Sequence, residues 1–332
     1  MVFRASRLVG LSLAGSALLA LGACGGGGMS GSNTGTLKLG ITDAPVDVAD
    51  AVVVQFSGVE LKPANGNAFS IDFAGGPKSI DLLQQQGTQR AMLLDGEKVP
   101  AGDYEWMRLK VNADPSTVDS YVTVGGSQCE MRIPSGDETG LKLIRGFTVA
   151  VGTITDMTID FDLRKSVVQP PGQKADSTNC NGQAYLLKPV LRVVDNLQVG
   201  TITGTVDPSL VAAGSCPTST SAPGNVYLFG PYTDTAPIPD DVDGNAGDGA
   251  DPITTANVAL DGNSNYTYTI GFVAAGKYIV AYTCDADDST IDADVAPTPP
   301  ATGETVSFTP TNGLPAEVTA SQTTTVNFVA GP

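Results

Sequence analysis

The sequence contains no histidine. That absence excludes Ser-His-Asp and Cys-His nucleophilic catalysis, HExxH zinc sites and imidazole proton relays. Neither GxSxG nor GxxxxGK[ST] occurs, so a nucleophile elbow and a Walker-type phosphate loop are missing too. No CxxC pair is present, which argues against a four-cysteine zinc site. Positive charge is scarce: 18 Lys and Arg stand against 35 Asp and Glu, a net −17, and only 16% of residues are charged. Aromatics make up 6%, with a single tryptophan, and no extended amphipathic helix stands out. What is present is a 332-residue chain, 41% hydrophobic, with 39 glycines and 22 prolines. At roughly 150 residues per domain, this length predicts two domains, each with its own core.

The first 24 residues carry the most specific signal. Arg4 and Arg7 precede an apolar run from Leu8 to Leu21, which ends in Leu21-Gly22-Ala23-Cys24. The run is shorter than the ~20 apolar residues that cross a bilayer. A charged start, a short apolar stretch and small residues before a cut read as an export signal over 1–23. The Leu-Gly-Ala-Cys string resembles the bacterial lipobox, which implies that Cys24 is acylated and leads the mature chain. Two or three acyl chains, at ~0.8 kcal/mol per buried CH2, give stable membrane attachment where one does not. Gly25 follows where an inner-membrane lipoprotein would carry aspartate, so the resemblance implies the outer membrane, facing either the periplasm or the outside. Residues 24–35 then form a lipidated Gly/Ser-rich tether with a span of about 18 Å. Gly26, Gly28 and Gly31 formally match GxGxxG, but no strand precedes them and a nucleotide site is not expected.

With Cys24 acylated, Cys129, Cys180, Cys216 and Cys284 remain. An even number in an exported protein predicts disulfides, with three connectivities open. The domain division favours Cys129–Cys180 and Cys216–Cys284, each closing a loop worth about 4 kcal/mol in the chain-entropy picture. Charge is uneven: beyond residue 199 one lysine, Lys277, faces 15 acidic residues. Such a surface cannot neutralise phosphates, so nucleic acid is not an expected partner.

Apolar stretches are short, β-branched and bounded by Gly, Pro, Asn or Asp, which is the strand signature. The expected fold is all-β: two tandem antiparallel β-sandwich domains, transthyretin-like or Ig-like, over 36–197 and 198–332. Leu82 to Gln86 reads as a single helical turn. Val99-Pro100-Ala101-Gly102-Asp103-Tyr104 recurs as Val273-Ala274-Ala275-Gly276-Lys277-Tyr278, each before a strong strand. Glycine supplies the turn and tyrosine opens the strand, which implies matching architecture in the two halves.

Five groups of residues invite chemistry. Asp160 and Asp162 are a carboxylate pair of the kind glycoside hydrolases use. On a continuous strand, Ile159, Phe161 and Leu163 share one face and Asp160, Asp162 and Arg164 the other. A buried face plus a solvated face with cross-strand ion pairs accounts for this pattern, so no catalytic residue is assigned. Asp241, Asp243, Asn245, Asp248 and Asp251 offer oxygens for Ca2+ on a loop. Ala246 and Pro252 break the EF-hand template there, and a solvated acidic turn explains the same residues. A second acidic cluster follows Cys284, from Asp285 to Asp294. Asp43, before Ala44-Pro45, fits an Asx turn. Trp106, Tyr104, Tyr266 and Tyr268 would suit sugar stacking or, equally, sheet packing.

Six segments resemble a bacterial lipoprotein family known as domain of unknown function 4382. They are GTLKLGITDAPVDVADAVVVQFSGVELKP (35–63), KSIDLLQ (78–84), VPAGDYEWMRLKV (99–111), IPSGDETGLKL (133–143), and IDFDLRKSV with YLLKPVLRVVD (159–195). The resemblance covers about 36–195 and implies lipobox-bearing, β-rich envelope proteins with no established activity. Residues after about 197 resemble a transthyretin-like or carboxypeptidase-regulatory-like module. The resulting expectation is a lipid-anchored envelope protein that binds or scaffolds, its partner an envelope protein or a glycan. The rival expectations are a calcium-dependent adhesion or carbohydrate-binding protein, and a carboxylate-pair glycoside hydrolase.

Overall fold

Period-two burial builds each sheet. In the first strand Leu37, Leu39 and Ile41 are fully buried and point to one side. A computed structural model describes residues 33–44, 49–112, 118–133, 140–168, 185–188, 190–213, 223–240, 250–285 and 306–330. Residues 33–332 cluster as one compact unit. Within it the strands sort into four sheets, two from each half of the chain.

One first-half sheet orders Leu191–Asp195 (β14), Ile154–Asp162 (β11), Thr34–Ala44 (β1) and Ala91–Pro100 (β5). The other orders Phe147–Val149 (β10), Gly102–Val111 (β6), Ala51–Pro63 (β2), Tyr121–Val124 (β7), Ser127–Arg132 (β8), Tyr185–Leu187 (β13) and Val167–Val168 (β12). Phe69–Asp72 (β3) and Lys78–Asp81 (β4) also pair with β2, and Leu141–Leu143 (β9) with β6. The facing sides enclose one core, from Leu37 to Val193.

The second half pairs Ala259–Leu260 (β18), Tyr266–Ala274 (β19), Val199–Val206 (β15) and Thr323–Thr325 (β22) in one sheet. Thr254–Asn257 (β17), Asn225–Tyr232 (β16), Gly276–Thr283 (β20) and Thr309–Val318 (β21) form the other. A core around Ile202, Val280 and Phe328 lies between them. Behind β16 and β20 a separate cluster packs Tyr227, Phe229, Ile279, Ala281 and Phe308. Tyr278 to Thr283 is therefore buried on successive residues, the mark of a strand covered on both faces.

The all-β sandwich expectation holds, with mixed rather than wholly antiparallel pairing. β1 runs parallel to β11, β8 to β13, and β15 to β22. The expected turn at Leu82 is a 3-10 turn over Leu82–Gln84, capped by the Asp81 carboxylate, which accepts from Leu83 N. The repeated motif forms the same corner twice. Val99 and Val273 are fully buried. Tyr104 Oη donates to Pro100 O at 2.7 Å and Tyr278 Oη to Ala274 O at 2.9 Å. In both halves the tyrosine ties its strand back to the carbonyl four residues earlier.

Candidate functional site between the two halves

The segment expected as one strand through Lys165 stops at Asp162. The Asp162 carboxylate accepts from Lys165 N at 3.4 Å and caps a single helical turn, Leu163–Ser166 (α1). This turn swings Arg164 and Lys165 away from the sheet and toward the second half. Arg164 is 1% exposed. Its Nε donates to Thr255 Oγ1 at 3.2 Å, and its guanidinium lies 5.2 Å from the centre of the Tyr227 ring. Lys165 Nζ donates to Pro252 O at 2.6 Å and sits 3.7 Å from both the Asp162 and Asp251 carboxylates.

The solvated face expected for Asp160, Asp162 and Arg164 is thus corrected. Met157 to Phe161 are all buried: on the outer side Arg90 and Asn196 bond Thr158 and Arg192 bonds Asp160, with Asp251 to Ile253 of the second half across the adjoining cavity. The cross-strand ion pair does form, in register: Asp160 lies opposite Arg192, whose Nη2 and Nε donate to Asp160 Oδ2 at 2.5 and 3.2 Å. Burial raises the Asp160 carboxyl above its usual range, against the pull of Arg192. Burial likewise pushes Asp162 up to about 6, helped by the Asp160 charge and opposed chiefly by Lys165. These groups border a cavity of about 390 Å³ with an apolar far wall of Val190, Leu191, Pro252 and Ile253. Each carboxylate of the pair holds a structural partner, so the geometry is that of a charged joint.

A second cavity, about 370 Å³, opens farther along the same seam. Arg90 Nη1 and Nη2 make parallel bonds of 2.7 and 3.0 Å to the two oxygens of Asp156. Gly40 permits this, since a Cβ there would meet Arg90 Cδ at 2.7 Å as the side chain crosses β1. Asn196 Nδ2 donates to Asp156 Oδ1 at 2.9 Å, and Thr158 Oγ1 to Asn196 Oδ1 at 2.8 Å. Phe272 and Ser321, at φ 54° and 59°, line the opposite wall. Beside the second cavity, next to Thr88 and Phe272 that line it, Gly271 faces Gly87 so closely that a Cβ would lie 2.1 Å from Gly87 O.

Other expected sites fall elsewhere. Cys24, Cys180 and Cys216 lie outside the described residues, as do Asp241, Asp243, Asn245 and Asp248. Of the Ca2+ set only Asp251 is described, and it faces Lys165. Asp285 Oδ2 accepts from Ser307 N at 2.8 Å. Asp43 is buried at the end of β1, where its N–H donates to Gln85 O. Cys129 is buried on β8 and Cys284 follows β20; the cysteines expected to pair with them lie outside the described residues. Tyr104 and Tyr268 are core residues, so neither offers a sugar a free face. Trp106 has Arg108 at 4.9 Å and Lys142 at 4.5 Å over its ring. Sequence patterning missed Arg164, Arg90 and Phe272. Their roles depend on which half covers which face, and no local period encodes that.

Residues 34–189 match the profile of a family described as Domain of unknown function (DUF4382). No curated protein matches the chain. Among solved structures, the chain has a TM-score of 0.17 and 11% identity with the minor pilin GBS52 of Streptococcus agalactiae, over 89% of this chain and 97% of that one. With the major pilin of Streptococcus pyogenes the values are 0.16 and 10%, over 90% and 97%. Likeness this slight carries no argument about activity.

Proposed function

From the premise that the first half is a domain of the DUF4382 family, we propose that the chain is a lipid-anchored envelope protein acting as a non-enzymatic binding or scaffolding module. In this reading Cys24 carries the lipid, the Gly/Ser tether lets the globule move close to the outer membrane, and both halves act as one body. The observation that carries it is the use made of the carboxylate pair. Asp160 is held by Arg192 of the neighbouring strand and Asp162 by Lys165 and the α1 cap, so both carboxylates are taken up by structural partners. The pairing Cys129–Cys180 and Cys216–Cys284 belongs to the same proposal.

Growth with radiolabelled palmitate tests the anchor. The protein should carry label and float with outer-membrane vesicles, and Cys24→Ser should lose both. Recovery of unlabelled protein from the cytosol with its thiols reduced would refute the reading. Incubation with a glycan panel tests the module: Asp160→Asn and Asp162→Asn should be indistinguishable from the parent, with no turnover in any of the three.

A further inference from the structure

The cavity bordered by Arg90, Asp156 and Phe272 is shaped for a ligand, and we propose that it binds an uncharged saccharide unit. Its volume of about 370 Å³ lies within the usual range of small-molecule sites. Its ionic lining is one guanidinium and one carboxylate joined by two bonds, so it selects neither a phosphate nor an amine. The Asp156–Asn196–Thr158 network fixes that wall in place. By contrast, the hydroxyls of Thr201, Ser321 and Thr323 and the Gln322 amide bond no other described side chain, and all four line the cavity. Residues bearing hydroxyls and an amide thus line the cavity together with the partly exposed Phe272. A sugar ring presents the complementary pattern, with hydroxyls at its edge and C–H bonds on its face.

Backbone strain points to the same place. Among the described residues three non-glycine residues have positive φ, and two of them, Phe272 and Ser321, line this cavity. For a bulky residue such as phenylalanine that conformation is strained, and such strain gathers at binding sites. The inference deepens the binding-module reading and rests on it in one respect: the sugar is held and not cleaved.

Saturation-transfer NMR on the full-length protein, in micelles of a sugar-free detergent, tests it. The probes are maltose, cellobiose, lactose and chitobiose, with inorganic phosphate and hexylamine as competitors. We expect transfer to the ring protons of at least one disaccharide, undisturbed by either competitor. Phe272→Gly removes the ring while suiting the φ of 54° and should abolish transfer. Thr323→Val removes one hydroxyl without changing the fold and should weaken binding by about tenfold. Leu260→Ala, on an exposed strand away from the cavity, should change nothing. Absence of transfer to all four sugars, displacement by phosphate, or full binding by Thr323→Val would overturn the inference and leave the anchor untouched. Cleavage of a disaccharide would instead refute the non-enzymatic reading.

Discussion

The two halves solve the same local problem in one way and the global problem in different ways. Both enter a long strand through a Val-x-Ala-Gly-x-Tyr corner whose tyrosine bonds the carbonyl four residues back. Yet the first half closes a single core, whereas the second buries a strand on both faces and needs cover behind β16 and β20. Part of that cover is Arg164, delivered by the first half. In turn the second half sets Asp251, Pro252 and Ile253 beside Asp160 and Asp162 across a shared cavity, while Arg192 covers Asp160 within its own sheet. Matching corners come from local sequence; mutual cover comes from the joint.

The largest effect should come from cutting that joint. Arg164→Ala leaves Thr255 and Tyr227 facing a void where a buried guanidinium stood. We expect a loss of about 3–5 kcal/mol and a melting curve resolved into two steps, read by calorimetry. If the halves were independent, the loss would appear in one step only.

Next comes the carboxylate at the same joint. A carboxyl whose folded pKa is raised binds its proton more tightly in the folded than in the unfolded chain. Stability therefore falls as pH rises from the unfolded value near 3.8 through about 6, and is lowest above it. Asp160 has the same sign. Asp162→Asn should stabilise the protein at pH 7 by on the order of 2–3 kcal/mol and flatten the pH 4–6 slope in denaturant titrations. An unchanged slope would mean that Asp162 ionises freely. The exposed Asp207 and Asp261 have lowered pKa values, so their opposite effect lies below pH 3.8, outside that window.

Gly271→Ala probes close approach at the seam. The new methyl meets Gly87 O, and a loss of about 2 kcal/mol is expected. Gly262→Ala, with nothing within 4 Å, should stay within about 0.5 kcal/mol of the parent. The smallest effect separates the two corners. Tyr104→Phe and Tyr278→Phe each leave a carbonyl unpaired, and should each cost about 1 kcal/mol and add in the double variant. A markedly larger loss in one would end the equivalence of the corners.

These comparisons mark what the sequence made legible. Period-two patterning pointed to the strands and to cross-strand ion pairs, and a helical turn at Leu82 was expected, because each depends on neighbours along or across one sheet; the Asp81 cap and Arg192 as the partner of Asp160 emerge only in the fold. It misjudged the exposure of Asp160 and Arg164, since an Asp-x-Asp-x-Arg alternation looks the same beneath water or beneath another sheet. The helical turn at Leu163–Ser166 was hidden for a related reason: Leu163 fits the strand period, and only the Asp162 cap ends it. Phe272 gave no signal: its positive φ falls where β19 slips register against β15, and no local pattern marks that slip.

Differential scanning calorimetry of the intact protein at pH 7 addresses the mutual cover most directly. One transition, with equal calorimetric and van't Hoff enthalpies, is the predicted result. Two separable transitions in the unmutated chain would contradict it.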